Sequence, residues 1–512
     1  MLRGPVHDHG CTDPLRRLAC VVALTLVGFV AAKAHAAELS LDVANMPRIA
    51  TVDPRFQSYN IEMVEVTGGR FWRPYGATGT QVDAKADRFA ERSPIDLHDV
   101  RLRKLAAALS PAYLRISGTW ANSTVFADSD TPPSTPPAGF KGVLTPQQWQ
   151  GVVDFSRAVD APIVTSFAIS AGTRDANGLW TPDQAQRFLA FTRSIGGHIA
   201  AAEFMNEPDL PAIGGAPEGY DVASYGRDFA AFRSFMKRAA PDVMVLGPGT
   251  VGTGADAAAL FATTAPGIDA VSYHHYGALS ARCGSDRTAE AALSDDWLAR
   301  TDATLGFYRA LRDRFAPGRP IWLTETAETA CGGNRWSASF LDTFRYLDQL
   351  GRLAKAGVAV VMHNTLAASD YGLLDERTLS PRPNYFGALL WRRLMGTTVL
   401  DPGVPIQNGL HVYAHCARGV PGAVTLLVIN NDRAVSRELI LPNASERYTL
   451  EAAKPGDLQS TVVSLNGGVL ATNDEDGPPP LEGTAMAAGT IRFAPATITF
   501  LSILDAGNRD CR

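Results

Sequence analysis

The chain of 512 residues is short of the groups that metal, redox and polyanion sites are built from. It has six cysteines and no Cys-x-x-Cys pair, so no zinc site is expected; nor does the chemistry read below call for a metal or organic cofactor. Long Lys/Arg clusters are absent and the formal net charge is -5, which gives no reason to expect nucleic acid or an anionic membrane as a partner. No internal repeat stands out. The longest apolar run, Leu18 to Ala32, is shorter than the roughly 20 residues that a bilayer span requires. What remains is ordinary globular composition, 46% hydrophobic and 19% charged.

That apolar run comes after Arg16 and Arg17 and precedes Ala34-His35-Ala36, a small-x-small cleavage site. Residues 1–36 therefore read as a signal peptide and the protein as exported, periplasmic or secreted, with no membrane contact once the signal is removed. Cys11 and Cys20 leave with it, and Cys283, Cys331, Cys416 and Cys511 remain. An even number in an exported chain suggests disulfides. The expected pairs are Cys416 with Cys511, tying the last strands, and Cys283 with Cys331, clamping two loops; buried free thiols are the alternative.

Short apolar runs then alternate with amphipathic segments. The strand candidates are Ser58–Glu65, Tyr113–Ser117, Ile163–Ala168, Ala200–Met205, Val243–Leu246, Ala270–Tyr273, Ile321–Thr324 and Val358–His363. Helical patterns lie between most of them, at Val100–Leu109, Pro146–Val159, Pro182–Ile195, Tyr220–Ala239, Ala289–Phe315 and Ser337–Lys355. Eight strands alternating with helices predict an α/β fold, a (β/α)8 TIM barrel, over 57–396. A helix near Tyr385–Leu394 closes it, and Asp128–Pro137 reads as a loop over it. From about 397 to 512 the texture changes to short β-type runs: Gly409–Ala414, Ala423–Ile429, Ser436–Leu441, Tyr448–Ala452 and Thr490–Leu504. These predict a smaller β-sandwich. Residues 37–56, with a strand near Leu39–Ile49, are expected to join it, so the sandwich domain draws on both chain ends.

Two of the barrel runs end in a carboxylate. Glu207 closes Ile199-Ala-Ala-Ala-Glu-Phe-Met-Asn206-Glu207, after the fourth strand, and Glu325 closes Ile321-Trp-Leu-Thr-Glu325, after the seventh. A charge at the edge of a core must be solvated, paired or used. Strand C-termini converge on one face of a barrel, where catalytic groups sit. One protonated and one ionised carboxyl facing a sugar are what glycoside hydrolysis needs. Asn206 precedes Glu207 and is placed to bond a sugar 2-hydroxyl, so Glu207 is assigned as acid/base and Glu325 as nucleophile. Ser272-Tyr-His-His275-Tyr276-Gly ends the sixth strand; Tyr276 is the candidate to hold Glu325 ionised, and His275 is a candidate sugar contact. Thr119 ends Tyr113-Leu-Arg-Ile-Ser-Gly-Thr, within reach of a sugar hydroxyl. Asn60 and Glu62, on the first strand, are candidates to bond sugar hydroxyls or Arg115.

Taken in order, Tyr113-Leu-Arg-Ile-Ser-Gly-Thr, Glu203-Phe-Met-Asn-Glu-Pro, Tyr273-His-His-Tyr, Trp322-Leu-Thr-Glu-Thr, Cys331-Gly-Gly, Pro381-Arg-Pro-Asn-Tyr-Phe and Leu394-Met-Gly-Thr resemble glycoside hydrolase family 79, the heparanase and β-glucuronidase family. The resemblance implies a retaining hydrolase of β-linked glucuronic acid, with a glucuronic-acid-containing saccharide or glycoside as its partner. It also implies that the uronate is held by the Gly332 and Gly333 amides and by Tyr371, and it supports the Cys416–Cys511 disulfide. Two departures stand out. Asp128–Gly142 is short where animal heparanase has a long excised linker, which implies a single-chain enzyme, and one extra residue separates Glu325 from Cys331-Gly-Gly. Exo action is favoured over endo cleavage of a heparan-type chain, because a long polyanion normally leaves a basic footprint. A xylanase or arabinofuranosidase with the same carboxylate pair, and a carbohydrate-binding protein that has lost catalysis, are the other readings. Oligomeric state is not legible.

Overall fold

A computed structural model describes residues 39–75, 88–131, 135–470 and 477–512. The expected signal segment 1–36 lies outside the described residues, and among these no helix is long and apolar enough to cross a membrane.

Eight parallel strands close into a barrel: Gln57–Glu62, Leu114–Ser117, Ile163–Thr165, Ile199–Glu203, Met244–Thr250, Ala270–Tyr276, Ile321–Ala327 and Val360–His363, the last pairing back onto the first. These are the eight expected runs, and the barrel strands are numbered first to eighth below. Three of the enclosing helices begin at side-chain caps. Thr145 accepts from Gln148 N–H, and the Gln148 side chain accepts from Thr145 N–H, around a proline at the first turn of Pro146–Ala158. Asp99 and Asp221 cap Val100–Ala107 and Val222–Ala239 in the same way.

Five expectations need correction. The first run, expected as a strand to Glu65, ends at Glu62, and Met63–Thr67 is a short helix. The apolar alanine-rich stretch Ala255–Thr264 is a helix, not anticipated because it lacks a clear polar face. Ala289–Phe315 is broken into a 3-10 turn, Asp295–Leu298 and Arg300–Phe315, because Ser294 caps a new start. Leu39–Ile49 forms only a bridge at Ser40 before the strand Arg48–Thr51. Thr490–Leu504 is two strands, Gly489–Phe493 and Thr497–Ile503, separated by a turn in which Ala496 has φ 50°.

Beyond the barrel, one sheet runs in the order Arg48–Thr51, Met395–Leu400, His411–Ala417, Val424–Asn430, Thr497–Ile503, Ser445–Ala452 and Val463–Leu465. A separate antiparallel pair, Arg437–Leu441 with Gly489–Phe493, covers one face. Val424–Asn430 is buried on both sides by simple alternation: Val424, Leu426 and Val428 join the sandwich core, while Leu427 and Ile429 pack with the main cluster of the barrel. The disulfides Cys283–Cys331 and Cys416–Cys511 are both formed.

Helix Phe340–Lys355 is buried along nearly its whole length because sheet and barrel enclose it. At Gly351 a Cβ would fall 2.4 Å from the Tyr413 ring, so only glycine admits that strand. One turn away, Asp348 accepts from His411 Nδ1 at 2.5 Å, Tyr413 Oη at 2.6 Å and Arg352 Nε at 2.6 Å, a buried polar seam between helix and sheet. His411 and His415 have the four-residue spacing of a helical zinc pair, but they lie on a strand, where it spans about 13 Å. His415 instead bonds the Gly396 carbonyl at 2.7 Å.

Candidate active site

Arg115 points from the second strand into the barrel and is 1% exposed. Its Nη1 donates to Glu325 Oε2 at 2.8 Å, its Nε and Nη2 to Glu203 Oε2 at 3.1 and 2.9 Å, and its Nη2 also to Asn206 Oδ1 at 2.8 Å. A guanidinium with a rigid fork suits this task, since it binds three separate groups in fixed relation. With Oδ1 of Asn206 taken by Arg115, the amide NH2 is the end left to meet a ligand hydroxyl.

Glu325 reaches this cluster through a local irregularity of its strand. Trp322 and Thr324 face the barrel interior, the latter donating to Glu203 Oε1 at 2.9 Å, so strict alternation would turn Glu325 outward. The register with the sixth strand shifts between Tyr273 and His274, and with the eighth between Leu323 and Thr326. The result is that Thr324 and Glu325 both face inward. Bulges of this kind re-aim side chains beside active sites.

His274 stands between the two glutamates. Its Nδ1 is 3.0 Å from Glu207 Oε1 and 3.8 Å from Glu325 Oε2, and one donor atom from each of the three residues lies within 4.8 Å of the others. Nε2 faces Arg115 Nη2 at 3.2 Å. Burial lowers the imidazole pKa, but the charge of Glu325 and the bond to Glu207 outweigh it and raise it, so Nδ1 carries a hydrogen toward Glu207. The three donors have the spacing of a cation site, but all are engaged, Glu325 by Arg115 and by the Tyr276 hydroxyl at 2.6 Å.

The two carboxyls are driven apart electrostatically. Burial raises the Glu207 pKa, and neighbouring Glu325 adds to it against the His274 hydrogen bond. Burial pushes on Glu325 too, but His274, Arg115 and the Tyr276 hydroxyl outweigh it and hold this carboxyl below its ordinary value. Glu203 is lowered in the same sense, Arg115 and His274 overcoming its burial. Glu62 moves the other way, far up, through burial and the charge of Glu325. The site thus separates a carboxyl that keeps its proton from one that gives it up.

Other predicted residues distribute unevenly. Tyr276 bonds Glu325 as expected, and Asn364 donates to both its hydroxyl and Glu62 Oε1 at 3.1 Å. Glu62 is buried at the mouth against Gly118, where a Cβ would overlap its carboxylate. Asn60 lies deeper and donates to the Thr324 carbonyl at 3.1 Å, so it supports the strand of Glu325 rather than facing the mouth. Thr119 opens the turn Thr119–Ser123 and makes no side-chain hydrogen bond among the described residues. His275 is not brought to the site: alternation turns it outward, where its Nδ1 meets Thr304 of helix Arg300–Phe315 at 2.9 Å. Arg70 and Arg73 stay on the hairpin after the first strand, beside Glu91 and the Phe89 carbonyl.

The loop Cys331-Gly332-Gly333 runs with φ of 64°, 79° and 84°. Glycine is needed here for space as well as conformation: a Cβ on Gly332 would meet Trp72 at 2.5 Å, and one on Gly333 would meet Ser337 at 2.6 Å. Glu328 organises the loop from beneath, accepting from Thr329, Ser337 and the Asn334 backbone at 2.8, 2.7 and 3.0 Å. Among the described residues no acceptor takes the Gly332 or Gly333 N–H. Tyr371 is buried beside Gly333, and its hydroxyl pKa is raised by burial and then by Glu62 and Glu325, which places the phenol near both. His363 secures this segment with a bond to the Tyr371 carbonyl at 2.7 Å.

A family model described as "Glycosyl hydrolase family 79, N-terminal domain" matches residues 89–351, just over half of the chain. The chain belongs to glycosyl hydrolase family 79. This glycosyl hydrolase is 29% identical over 457 residues to mouse heparanase, covering 77% of this chain and 84% of that protein. It is 29% identical over 360 residues to heparanase-like protein 1 of Arabidopsis thaliana, covering 66% of this chain and 65% of that protein. Among solved structures, a 4-O-α-L-rhamnosyl-β-D-glucuronidase from Fusarium oxysporum superposes with a TM-score of 0.62 at 13% identity, over 91% of this chain and 100% of that one, a likeness of fold. Membership of the family implies a carbohydrate substrate.

Sequence reasoning missed the hub role of Arg115, its partner Glu203, and His274, Asn122 and Asn364. A signal for three of them was present: Arg115, Glu203 and His274 are charged or titratable residues at inward positions of otherwise apolar strands. Period-two counting from Ala270 selects His274 over His275.

Proposed function

We propose that this family 79 protein is a retaining β-glucuronidase that removes terminal glucuronic acid, with Glu325 as nucleophile and Glu207 as acid/base. The observation that carries the reading is the close pair itself. Oxygens of the two glutamates lie within 4.8 Å of one another, nearer the roughly 5 Å carboxyl spacing of double displacement than the roughly 6.5–9.5 Å of an inverting pair. Their opposite pKa shifts support the division of roles.

In the first step Glu207 donates its proton to the glycosidic oxygen and Glu325 attacks the anomeric carbon, so that the glycosidic C–O bond breaks, the aglycone leaves as its alcohol and a glycosyl ester forms. In the second, Glu207 takes a proton from water, which cleaves the ester. Arg115 holds Glu325 and Asn206 in register, and the Asn206 amide meets the 2-hydroxyl, whose contact tightens in the oxocarbenium-like transition state. The amides of Gly332 and Gly333, which no acceptor takes among the described residues, make with the Tyr371 hydroxyl a neutral cradle for a planar carboxylate. Glu62, kept protonated, is a donor for a ring hydroxyl. Residues 57–396 form the catalytic barrel domain, and 37–56 with 397–512 form the sandwich domain. The chain is exported after loss of residues 1–36.

Aryl β-glucuronide, β-glucoside and β-xyloside assayed side by side test the substrate, with proton NMR of the first-formed anomer for stereochemistry. Release of β-glucuronic acid from the glucuronide alone is expected. Equal cleavage of the xyloside, or an α-anomer as first product, defeats the reading; oligosaccharides from heparan sulfate without monosaccharide would replace exo with endo action. Glu325→Gln is expected to abolish turnover, since an amide does not form the ester.

A further inference from the structure

Asn122 ties together three of the segments that form the barrel mouth. It lies in the 3-10 turn Thr119–Ser123 after the second strand and is fully buried. Its side chain brackets one residue beyond the fourth: Oδ1 accepts the Asn206 N–H at 2.8 Å, and Nδ2 donates to the Asn206 carbonyl at 2.8 Å. Only one orientation of the amide satisfies both bonds. Its own carbonyl accepts from the Ile169 and Ser170 N–H groups, 2.9 and 3.1 Å away, in the loop after the third strand.

The bracket bears directly on Glu207, the adjacent residue. Glu207 has φ 47°, in the left-handed region that residues with a Cβ enter rarely. Such a conformation persists only where surrounding bonds over-determine it. Asn206 is held at its N–H and carbonyl by Asn122 and at its side chain by Arg115, also 2.8 Å. From that anchored residue the left-handed turn directs the Glu207 carboxyl to His274, 3.0 Å away. The next loop closes over the same amide, since a Cβ on Gly214 would come within 2.7 Å of Asn122 Nδ2.

We propose that Asn122 is a positioning residue for the proton donor: through the Asn206 peptide it holds Glu207 in the left-handed turn that aims its carboxyl at the glycosidic oxygen. It does not touch the sugar. The inference rests on Glu207 as acid/base. A loosened bracket impairs protonation of the leaving group, while attack by Glu325 and uronate recognition, built on other strands, remain.

Leaving-group dependence tests it. Asn122→Ala removes both bonds; Asn122→Asp keeps the acceptor and loses the donor. kcat and KM are measured on a nitrophenyl β-glucuronide, which needs little protonation, and on an alkyl β-glucuronide, which needs it fully. For Asn122→Ala, kcat/KM on the alkyl substrate is expected to fall ~100-fold and on the nitrophenyl substrate less than ~5-fold, with KM within ~3-fold for both. Asn122→Asp is expected to fall between wild type and Asn122→Ala. Equal losses on the two substrates, or none on either, overturn the proposal. If Asn122→Ala fails to fold, Asn122→Asp decides; if both unfold, Asn122 serves the fold rather than the acid and the proposal is lost. A wild type that cleaves no glucuronide defeats the substrate reading instead, and the same aryl–alkyl comparison then runs on the glycoside it does cleave.

Discussion

The Tyr276 hydroxyl donates a 2.6 Å hydrogen bond to Glu325 Oε1, and Asn364 donates to that hydroxyl at 3.1 Å. Burial and the charge of Glu325 raise the phenol's pKa far above its ordinary value, so it stays a donor at any working pH. Removing it by Tyr276→Phe deletes a bond to a charged group, worth about 1.5–3 kcal/mol, so kcat/KM should fall roughly 10- to 100-fold. Because that bond favours the ionised carboxylate, the acid limb of the pH profile should also move up. A drop in rate with an unmoved limb would mean that the hydroxyl serves the sugar rather than Glu325.

The pH profile itself should be a bell. In the proposed mechanism the active form has Glu325 ionised and Glu207 protonated. Glu325 is held below its ordinary 4.5, so protonation cuts activity only on the acid side of that value. Glu207 is raised above 4.5, so activity persists past it and fades as Glu207 ionises. The limbs belong to the pair, since the groups interact. Glu207→Gln should abolish the alkaline limb along with most turnover of alkyl glycosides, and kcat/KM against pH checks both.

Uronate recognition should separate from catalysis. On the proposed cradle, Tyr371→Phe would remove one donor to the carboxylate and should cost the glucuronide about tenfold in kcat/KM against a matched glucoside. Gly333→Ala should cost more, because its φ of 84° is strained for alanine and the new Cβ would strike Ser337. Unchanged glucuronide-to-glucoside ratios in both variants would move the carboxylate site elsewhere.

Stability should depend on pH through the seam at Asp348. Burial is outweighed at His411 by Asp348, so its pKa rises above 6.5; its contribution is complete below 6.5 and fades as pH climbs through the raised value. At Asp348, His411 and Arg352 outweigh burial and lower the pKa beneath 3.8; that contribution is complete above 3.8 and fades as pH drops through the lowered value. Asp302 beside Arg352 and Asp295 beside His411 complete the charges facing the pair. Asp348→Asn should destabilise by about 3–5 kcal/mol and flatten the alkaline decline. Urea unfolding at pH 5 and pH 9 measures both.

Much of this protein was legible in its linear order. The alternation of apolar runs with amphipathic segments pointed to eight strands, and the change of texture from about 397 marked the sheet beyond them. Glu207, Glu325 and Tyr276 were readable because strand ends carry polar groups to one face of a barrel. These features are local, set by neighbours a few residues apart.

Other features required closure of the barrel. No pattern in Ile321-Trp-Leu-Thr-Glu announces a register shift, because a bulge is decided by the partner strands; it turns Glu325 in, while plain alternation turns His275 out. The contacts of Arg115 with Glu203, Glu325 and Asn206 span separations of 88, 210 and 91 residues, which only the closed sheet brings within hydrogen-bond distance. The same holds for the pKa values: an isolated glutamate at 207 and one at 325 titrate alike, and it is burial with unequal access to Arg115, Tyr276 and His274 that makes one keep its proton and the other release it.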